Sequence, residues 1–384
     1  MRIGVNALYL IPGGVGGTEI YLRSLLDALA GVDRKNQYLL ITNLETGSRL
    51  GPSAPNFSVL SQPVRARLRP LRLLWEQLWL PAVALQYRLD VLFNPGFTAP
   101  ALAPCPSVTV FHDLQHKRHP EYFRWFDLPF WRLFLYQSAR TSTALVAVSE
   151  ATRRDLEIFY PWARGKIHVI PHGVDPRCFQ IARERRDGNP APSATQATSQ
   201  TGRTGDQRLI LCVSTLHPHK NIPALIRAFA RLQPQRSPYR LVVAGMFGFD
   251  TDRVLKEIEN RGVQSLVRLT GWISRDELYS YYRQAWACIY PTRFEGFGLP
   301  VLEALAAGIP TACSDIEPLR TLVGDAALLF NPENEEAIYK ALCAIAEDAA
   351  LRKELAERGP EQAKRYSWEE AARKTLHLFA TVAG

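Results

Sequence analysis

The chain has 384 residues, 47% of them hydrophobic, with 46 basic against 37 acidic side chains and a formal charge of +9. That length exceeds one ordinary core and suits two domains, and the positive balance favours anionic partners. Nucleic acid is disfavoured by the lack of zinc-finger spacing, a basic heptad region or an RNA-binding signature. Six scattered cysteines without paired CxxC spacing predict reduced core residues of a cytoplasmic protein, and neither a signal peptide nor an apolar run of membrane length is visible.

From the N-terminus, apolar runs at Ile3–Tyr9, Tyr38–Thr42, Val91–Asn94, Val108–Phe111, Ala144–Val148 and Ile167–Ile170 alternate with helical patterns. This predicts a parallel sheet covered on both faces, with ligands beyond the carboxyl ends of its strands. The PGGVGGTE stretch, Pro12–Glu19, leads into a helix over Ile20–Leu29. Glu19 stands where the third glycine of a GxGxxG fingerprint would be, which disfavours a nicotinamide cofactor. Gly16 and Gly17 suit close approach of backbone to a diphosphate; the alternative is a plain strand-to-helix turn. Further on, Arg65, Arg67, Arg69 and Arg72 accompany the stripe Leu71, Leu74, Trp75, Leu78 and Trp79, an amphipathic helix bracketed by Pro70 and Pro81. Such a helix either lies on an anionic bilayer or packs on its own sheet. His112 ends a strand where side chains point into the crevice, and an imidazole there would switch charge near neutral pH; alternatively Asp113 caps the next turn and His112 only orients it. Ser149 reads as the N-cap of a helix starting at Glu150.

Glu184–Gln207 contains no apolar side chain larger than Ala or Pro, which predicts a mobile linker at the domain boundary. The second half restarts with a strand at Leu209–Val213, then STLHPHKN, Ser214–Asn221, and a helix over Ile222–Leu232. Lys220, just before that helix, places an ammonium where a diphosphate could meet it. Strands follow at Leu241–Ala244 and Val267–Leu269, the latter running into Gly271 and Trp272. Between them, Asp250 and Asp252 suit helix capping better than a metal-binding DxD. After a strand at Ala287–Pro291 comes FEGFGLPVLE, Phe294–Glu303, with Pro300 in a first helical turn. Its glycine turn at a helix start suits an anion, and its carboxylates suit hydroxyl protons, a sugar hydroxyl at Glu295 and a ribose at Glu303. Ser367 to Glu370 form a capping box opening a helix over Trp368–Phe379.

FEGFGLPVLE resembles the Glu-x7-Glu signature of the retaining nucleotide-sugar glycosyltransferases of family four, and the likeness continues through AAGIPTACSD, Ala306–Asp315, and more weakly over nearly the whole chain. The resemblance implies an α/β fold of two Rossmann-like doubly wound domains, the GT-B architecture with an interdomain cleft. Residues 1–180 would be the acceptor domain, 181–207 a linker or insert, 208–366 the nucleotide-sugar domain, and 367–384 a helix returning to the first domain. It implies catalytic roles for Glu295, Lys220 and His112, and donor contacts from Gly16, Gly17, His219, Gly271, Trp272, Phe297, Gly298, Leu299 and Glu303. The family usually adds an arginine beside the lysine; Thr215 or His219 stands there, so charge compensation rests on Lys220 alone or on a protonated His219.

The nucleotide-diphospho-sugar is then a substrate, with no cofactor or metal expected. TLHPHKN and EGFGLP look most like bacterial enzymes of cell-surface polysaccharide, including mannosyltransferases using GDP-mannose. The acceptor would be a growing glycan or a lipid-linked molecule, and the protein cytoplasmic or peripheral on the cytoplasmic membrane face through Arg65–Trp79. A sugar-nucleotide-binding subunit without turnover, serving a polysaccharide assembly complex, is the alternative.

Overall fold

The computed structural model describes residues 1–187, 208–232 and 238–384 and divides into two compact units, Met1–Gly173 with Tyr366–Gly384, and Val174–Arg365. The first unit holds β1 (Arg2–Asn6), α1 (Gly17–Val32), β2 (Gln37–Thr42), β3 (Phe57–Ser61), α2 (Arg69–Gln86), β4 (Val91–Asn94), β5 (Ser107–Phe111), α3 (Gln115–Arg118), α4 (Leu128–Thr141), β6 (Ala144–Ala147), α5 (Glu150–Phe159) and β7 (Ile167–Val169). Its seven strands lie in the order β3-β2-β1-β4-β5-β6-β7, every neighbouring pair parallel. The interior strands β4, β5 and β6 are buried along their whole length, as a sheet covered on both faces requires. Strand β3, FSVLS, was not foreseen; it pairs only with β2 and is half-exposed, so it lacks the apolar run that marks its neighbours.

Two expectations about α2 change. Pro81 lies inside the helix rather than closing it, because Leu80 and Ala84 on either side are buried against Leu8, Ile41 and Leu92. Arg72 is no part of an exposed basic strip: it is buried beside Glu76, one turn on, with Nη1 3.6 Å from Oε2. The same carboxylate oxygen accepts from Asn6 Nδ2 (3.2 Å) and Thr98 Oγ1 (3.0 Å), so this face of α2 turns toward its own sheet.

The second unit holds α6 (Pro176–Arg186), β8 (Arg208–Val213), α7 (Ile222–Arg231), β9 (Tyr239–Ala244), α8 (Thr251–Asn260), β10 (Val267–Leu269), α9 (Arg275–Gln284), β11 (Ala285–Tyr290), α10 (Leu299–Ala306), β12 (Thr311–Ser314), α11 (Leu319–Val323), β13 (Leu328–Phe330), α12 (Glu335–Glu347) and α13 (Ala349–Ala363). Its parallel sheet runs β10-β9-β8-β11-β12-β13. The expected linker begins inside α6: Cys178, Ile181 and Ala182 form a buried stripe that carries the helix to Arg186, and residues 188–207 lie outside the described part. Asp250 occupies the N-cap position of α8 without making a side-chain cap bond; Thr251 Oγ1 accepts instead from Gly248 N–H at 2.9 Å. Cys178, Cys212, Cys288 and Cys313 are buried, Cys105 and Cys343 half-buried, and all six are free.

The last helix, α14 (Trp368–Ala383), packs on α1 in the first unit, with Trp368, Ala372 and Phe379 buried. Ser367 Oγ accepts from the N–H groups of Glu369 (3.1 Å) and Glu370 (3.4 Å), satisfying two donors that a helix start leaves open.

Candidate functional site

In the second unit the strand order reverses between β8 and β11, and in doubly wound sheets ligands bind at such a switch point, beyond the carboxyl ends of the strands. The chain leaving β8 makes a short 3-10 turn, Pro218–Lys220, and the chain leaving β11 makes the Glu295 loop. These two loops converge. Lys220 Nζ pairs with Glu295 Oε1 and donates to Tyr290 Oη at 3.0 Å, while Tyr290 Oη donates to the same Glu295 oxygen at 2.7 Å. The Lys220 and Glu295 side chains are only 14% and 12% exposed, so the pair is shielded from bulk water on most sides. Tyr290, the last residue of β11, was missed by sequence reading because it ends an apolar run; burial and Glu295 hold its phenol well above the usual tyrosine pKa, so it remains a donor.

Hydrogen bonds to backbone carbonyls fix the first loop to its neighbours. Arg293 N–H and Thr292 Oγ1 both donate to the His219 carbonyl, at 2.7 and 3.2 Å, and Asn221, at a left-handed φ of 57°, donates from Nδ2 to Pro332 O at 2.9 Å. His217 and His219 stack with centroids 5.8 Å apart, and burial followed by the nearby Lys220 charge lowers the pKa of His217. Gly298 caps α10 at φ 109°, a backbone conformation that favours glycine, and a Cβ there would stand 2.4 Å from Leu319 Cδ2, which would have to shift. Phe297 and Leu299 are buried and shape this turn from beneath.

Glu303 lies where the spacing puts it, one turn into α10, but it is not an exposed acceptor. It is 3% exposed; Oε1 accepts from Arg275 Nη2 at 2.7 Å and Oε2 from Tyr282 Oη at 2.8 Å. Beyond β9 and β10, Gly271 (φ 70°) bridges to Gly245, and Trp272, Phe247 and Phe249 are 62%, 58% and 64% exposed. The two phenylalanines escaped notice because they sit in a glycine-rich loop without periodicity.

In the first unit, Gly16 caps α1 at φ 61°, and the space a Gly17 side chain would enter is open. Glu19, in the place of a third glycine, folds back: Oε2 accepts from Gly13 N–H at 2.7 Å and Oε1 from Arg23 Nε at 2.9 Å. His112, just past β5, is buried against Tyr21 (4.9 Å), Phe97 (5.1 Å) and His172 (5.5 Å between centroids). Its Nε2 is 2.9 Å from the Pro95 carbonyl, which can only accept, so Nε2 carries the proton. Burial pulls its pKa down to about 4, correcting the expected charge switch near neutral pH: the imidazole stays neutral there. Asp113 Oδ1 accepts from Gln115 N–H at 2.9 Å.

No helix of the described residues is long and apolar enough to cross a membrane, and no three metal-ligating side chains cluster among them. A model of the family described as "Glycosyltransferase Family 4" matches residues 15–177, and one described as "Glycosyl transferases group 1" matches residues 194–362. The O-antigen chain mannosyltransferase B of Escherichia coli is 27% identical over 294 residues, 76% of this chain and 74% of its own length. A D-inositol 3-phosphate glycosyltransferase of Kineococcus radiotolerans is 30% identical over 261 residues, 63% of this chain and 58% of its own. Among solved structures, the sucrose-phosphate synthase of Thermosynechococcus elongatus aligns with a TM-score of 0.78 at 19% identity, covering 99% of this chain and 98% of that one. WaaG, described as a glycosyltransferase involved in lipopolysaccharide biosynthesis, aligns at 0.75 with 17% identity and 99% of both chains covered. With a family-four match on its first half, a group 1 match on its second and a doubly wound sheet in each, the chain belongs to the family-four glycosyltransferases and is of GT-B type.

Proposed function

We propose that this glycosyltransferase moves a hexose, with retention and without a metal ion, from a nucleotide-diphospho-sugar to a growing glycan or lipid-linked acceptor in cell-surface polysaccharide assembly. The observation that carries the reading is the shielded Lys220–Tyr290–Glu295 cluster at the switch point of the second unit. Transfer needs a departing diphosphate and an oxocarbenium-like centre to be stabilised, and preorganised charge in a shielded site does this best. Lys220 exchanges its partner Glu295 for the diphosphate. The released carboxylate, still oriented by Tyr290, accepts from sugar hydroxyls. The anomeric carbon–phosphate bond breaks as the acceptor oxygen bonds to the same face, and the acceptor proton passes to the leaving phosphate oxygen.

A glycosidase-like pair of carboxylates is unsuited to this cluster, because both oxygens of Glu303 are held by Arg275 and Tyr282. His219 is the further candidate for charge compensation, Trp272 and Gly271 for the nucleotide base, and the Gly298 turn for the phosphates. From the first unit, Gly16 and Gly17 would serve phosphate and neutral His112 would serve the sugar by hydrogen bonding. The likeness to the O-antigen chain mannosyltransferase supports mannose as the sugar, and GDP-mannose is the donor proposed to carry it.

The acceptor side suggests work at an anionic cytoplasmic membrane face. Helices α2 and α4 lie side by side, joined by Arg69 Nη1–Asp127 Oδ1 (3.4 Å) and Gln137 Nε2–Gln77 Oε1 (2.9 Å). They expose Leu71, Leu78, Trp79, Phe130 and Leu133, Trp125 is exposed just before α4, and Arg65, Arg67, Arg69 and Arg132 are exposed on or beside the same helices, a composition suited to an interface. Flotation on vesicles containing phosphatidylglycerol is expected for the intact chain and is expected to fail after Arg65, Arg67 and Arg69 are replaced by Gln; equal flotation of both would remove this face from the reading.

The reaction is tested with GDP-, UDP- and dTDP-sugars without added metal. One donor should release its nucleotide, and Glu295→Gln and Lys220→Ala should each slow that release by about a hundredfold or more. Donor binding without turnover, even with lipid-linked acceptor supplied, would establish a binding subunit instead.

A further inference from the structure

The strand ends opposite Lys220 and Glu295 in the second unit carry a group of cations that the transfer reaction leaves unused. Trp286, near the start of β11, has the Arg352 guanidinium 3.2 Å and the Arg208 guanidinium 4.3 Å from its ring centroid. Arg352 Nη2 also donates to Trp286 O at 3.2 Å. Arg185, in the last turn of α6, donates from Nη1 to the carbonyls of Tyr282 (3.1 Å) and Arg283 (2.9 Å). Trp286 and Tyr290 lie four residues apart on β11, about 13 Å at the usual rise of a strand, so these cations stand clear of the Glu295 cluster.

Arg185 and Arg352 line a cavity of about 400 Å³, with Arg186, Lys353, Gly308 and Pro310 among its other walls. Gly308, at φ +64°, keeps the floor low: a Cβ there would come within 3.3 Å of Ala182 Cβ and 3.4 Å of Ala356 O. Among the described residues, none of Arg185, Arg186, Arg352 and Lys353 has an ion-pair partner, and Glu357 is the one carboxylate on the cavity wall. Arg352 Nε is buried without a hydrogen-bond partner. Burial, with repulsion from Arg352 on Arg185 and from Arg208 on Arg352, lowers both guanidinium pKa values to about 10; both stay charged at neutral pH. These are not solvated surface arginines. Their forks are fixed by backbone carbonyls, leaving donors to spare and uncompensated charge, the setting in which a multi-oxygen anion is recognised bidentately.

We propose that this cavity is a second anion site, binding the phosphate monoester or diphosphate of a small molecule between Arg185 and Arg352, with Arg186 and Lys353 at its rim. Its volume fits a small phosphorylated ligand. None of its residues belongs to the transfer site.

The test is isothermal titration of the full chain carrying Lys220→Ala, which removes the ammonium assigned to the donor diphosphate, with inorganic pyrophosphate. One stoichiometric site is expected, weakened about tenfold or more by Arg185→Gln with Arg352→Gln. Those arginines also brace the end of α9 and the start of β11, so Arg186→Glu with Lys353→Glu at the exposed rim provides the second variant: unchanged melting temperature and about tenfold weaker pyrophosphate binding. The source of the phosphate is read from vesicles of phosphatidylcholine with phosphatidic acid, with Arg65, Arg67 and Arg69 replaced by Gln in every chain compared so that the α2 face does not contribute. Flotation lost in the rim variant assigns a lipid headgroup, and unchanged flotation with weakened pyrophosphate binding assigns a soluble ligand. Absence of stoichiometric pyrophosphate binding, or equal affinity in the rim variant, overturns the site.

Discussion

Tyr290 accepts from Lys220 and donates to Glu295, so a single hydroxyl sets the position of both charged groups. Hydrogen bonds to charged groups contribute about 1.5–3 kcal/mol. Tyr290→Phe is therefore expected to lower kcat roughly tenfold to a hundredfold with little change in melting temperature; unchanged kcat would show that Lys220 and Glu295 need no third partner. Glu303 is expected to behave in the opposite way. Glu303→Gln removes the carboxylate bonded to the Arg275 guanidinium and leaves only that of Asp175, 3.8 Å away, so about 1–3 kcal/mol of stability should be lost in urea unfolding. Glu295 and Lys220 were legible as candidates because a carboxylate in a glycine turn and a lysine before a helix are unusual in sequence. The partners of Glu303 were not legible: Arg275 comes from a different helix 28 residues earlier, and nothing local to either residue says that they meet.

Among the elements, strands with an apolar run were read well, at an edge or inside a sheet, and one without such a run was missed. Strands β4 and β10 fall where the apolar runs put them, whereas the edge strand β3 carries too little buried surface to announce itself. Helix α2 shows the limit of reading amphipathicity alone, since Arg72 lies on the buried side, ion-paired with Glu76 one turn on, and only the fold supplies the burial of both. The join between β7 and α14 is tight: a Cβ on Gly173 would lie 2.0 Å from the Trp368 nitrogen. Gly173→Ala must push two backbones apart, and about 2 kcal/mol or more should be lost from the first unit, against about 1 kcal/mol for Ser367→Ala, which removes a cap. Urea titration followed by tryptophan fluorescence distinguishes the two, and equal losses would argue against the close approach.

At the scale of the whole molecule, the first unit folds around neutral histidines. Burial lowers His112 and His116 to about 4 and drives His172 well below its ordinary value, with His112 adding to the last. Each folded-state pKa lies below the unfolded value near 6.5, so the unfolded chain binds more protons between the two, and stability present above pH 6.5 is lost as pH falls toward 4. His112 alone corresponds to roughly 3 kcal/mol across that window. Urea midpoints should fall steeply between pH 6.5 and 4, and a flat profile there would mean that the three rings are hydrated. The two-sheet organisation was legible from alternating strands and helices, but the membership of α14 in the first unit rested on family likeness, because an amphipathic stripe does not say which sheet it covers. That membership has a consequence for synthesis. Residues Val174–Arg365 form a continuous stretch, whereas the first unit needs residues from both sides of it. On the ribosome the second unit has all of its residues while the first still shows the groove in which Trp368 and Phe379 will be buried, so the part begun first is finished last.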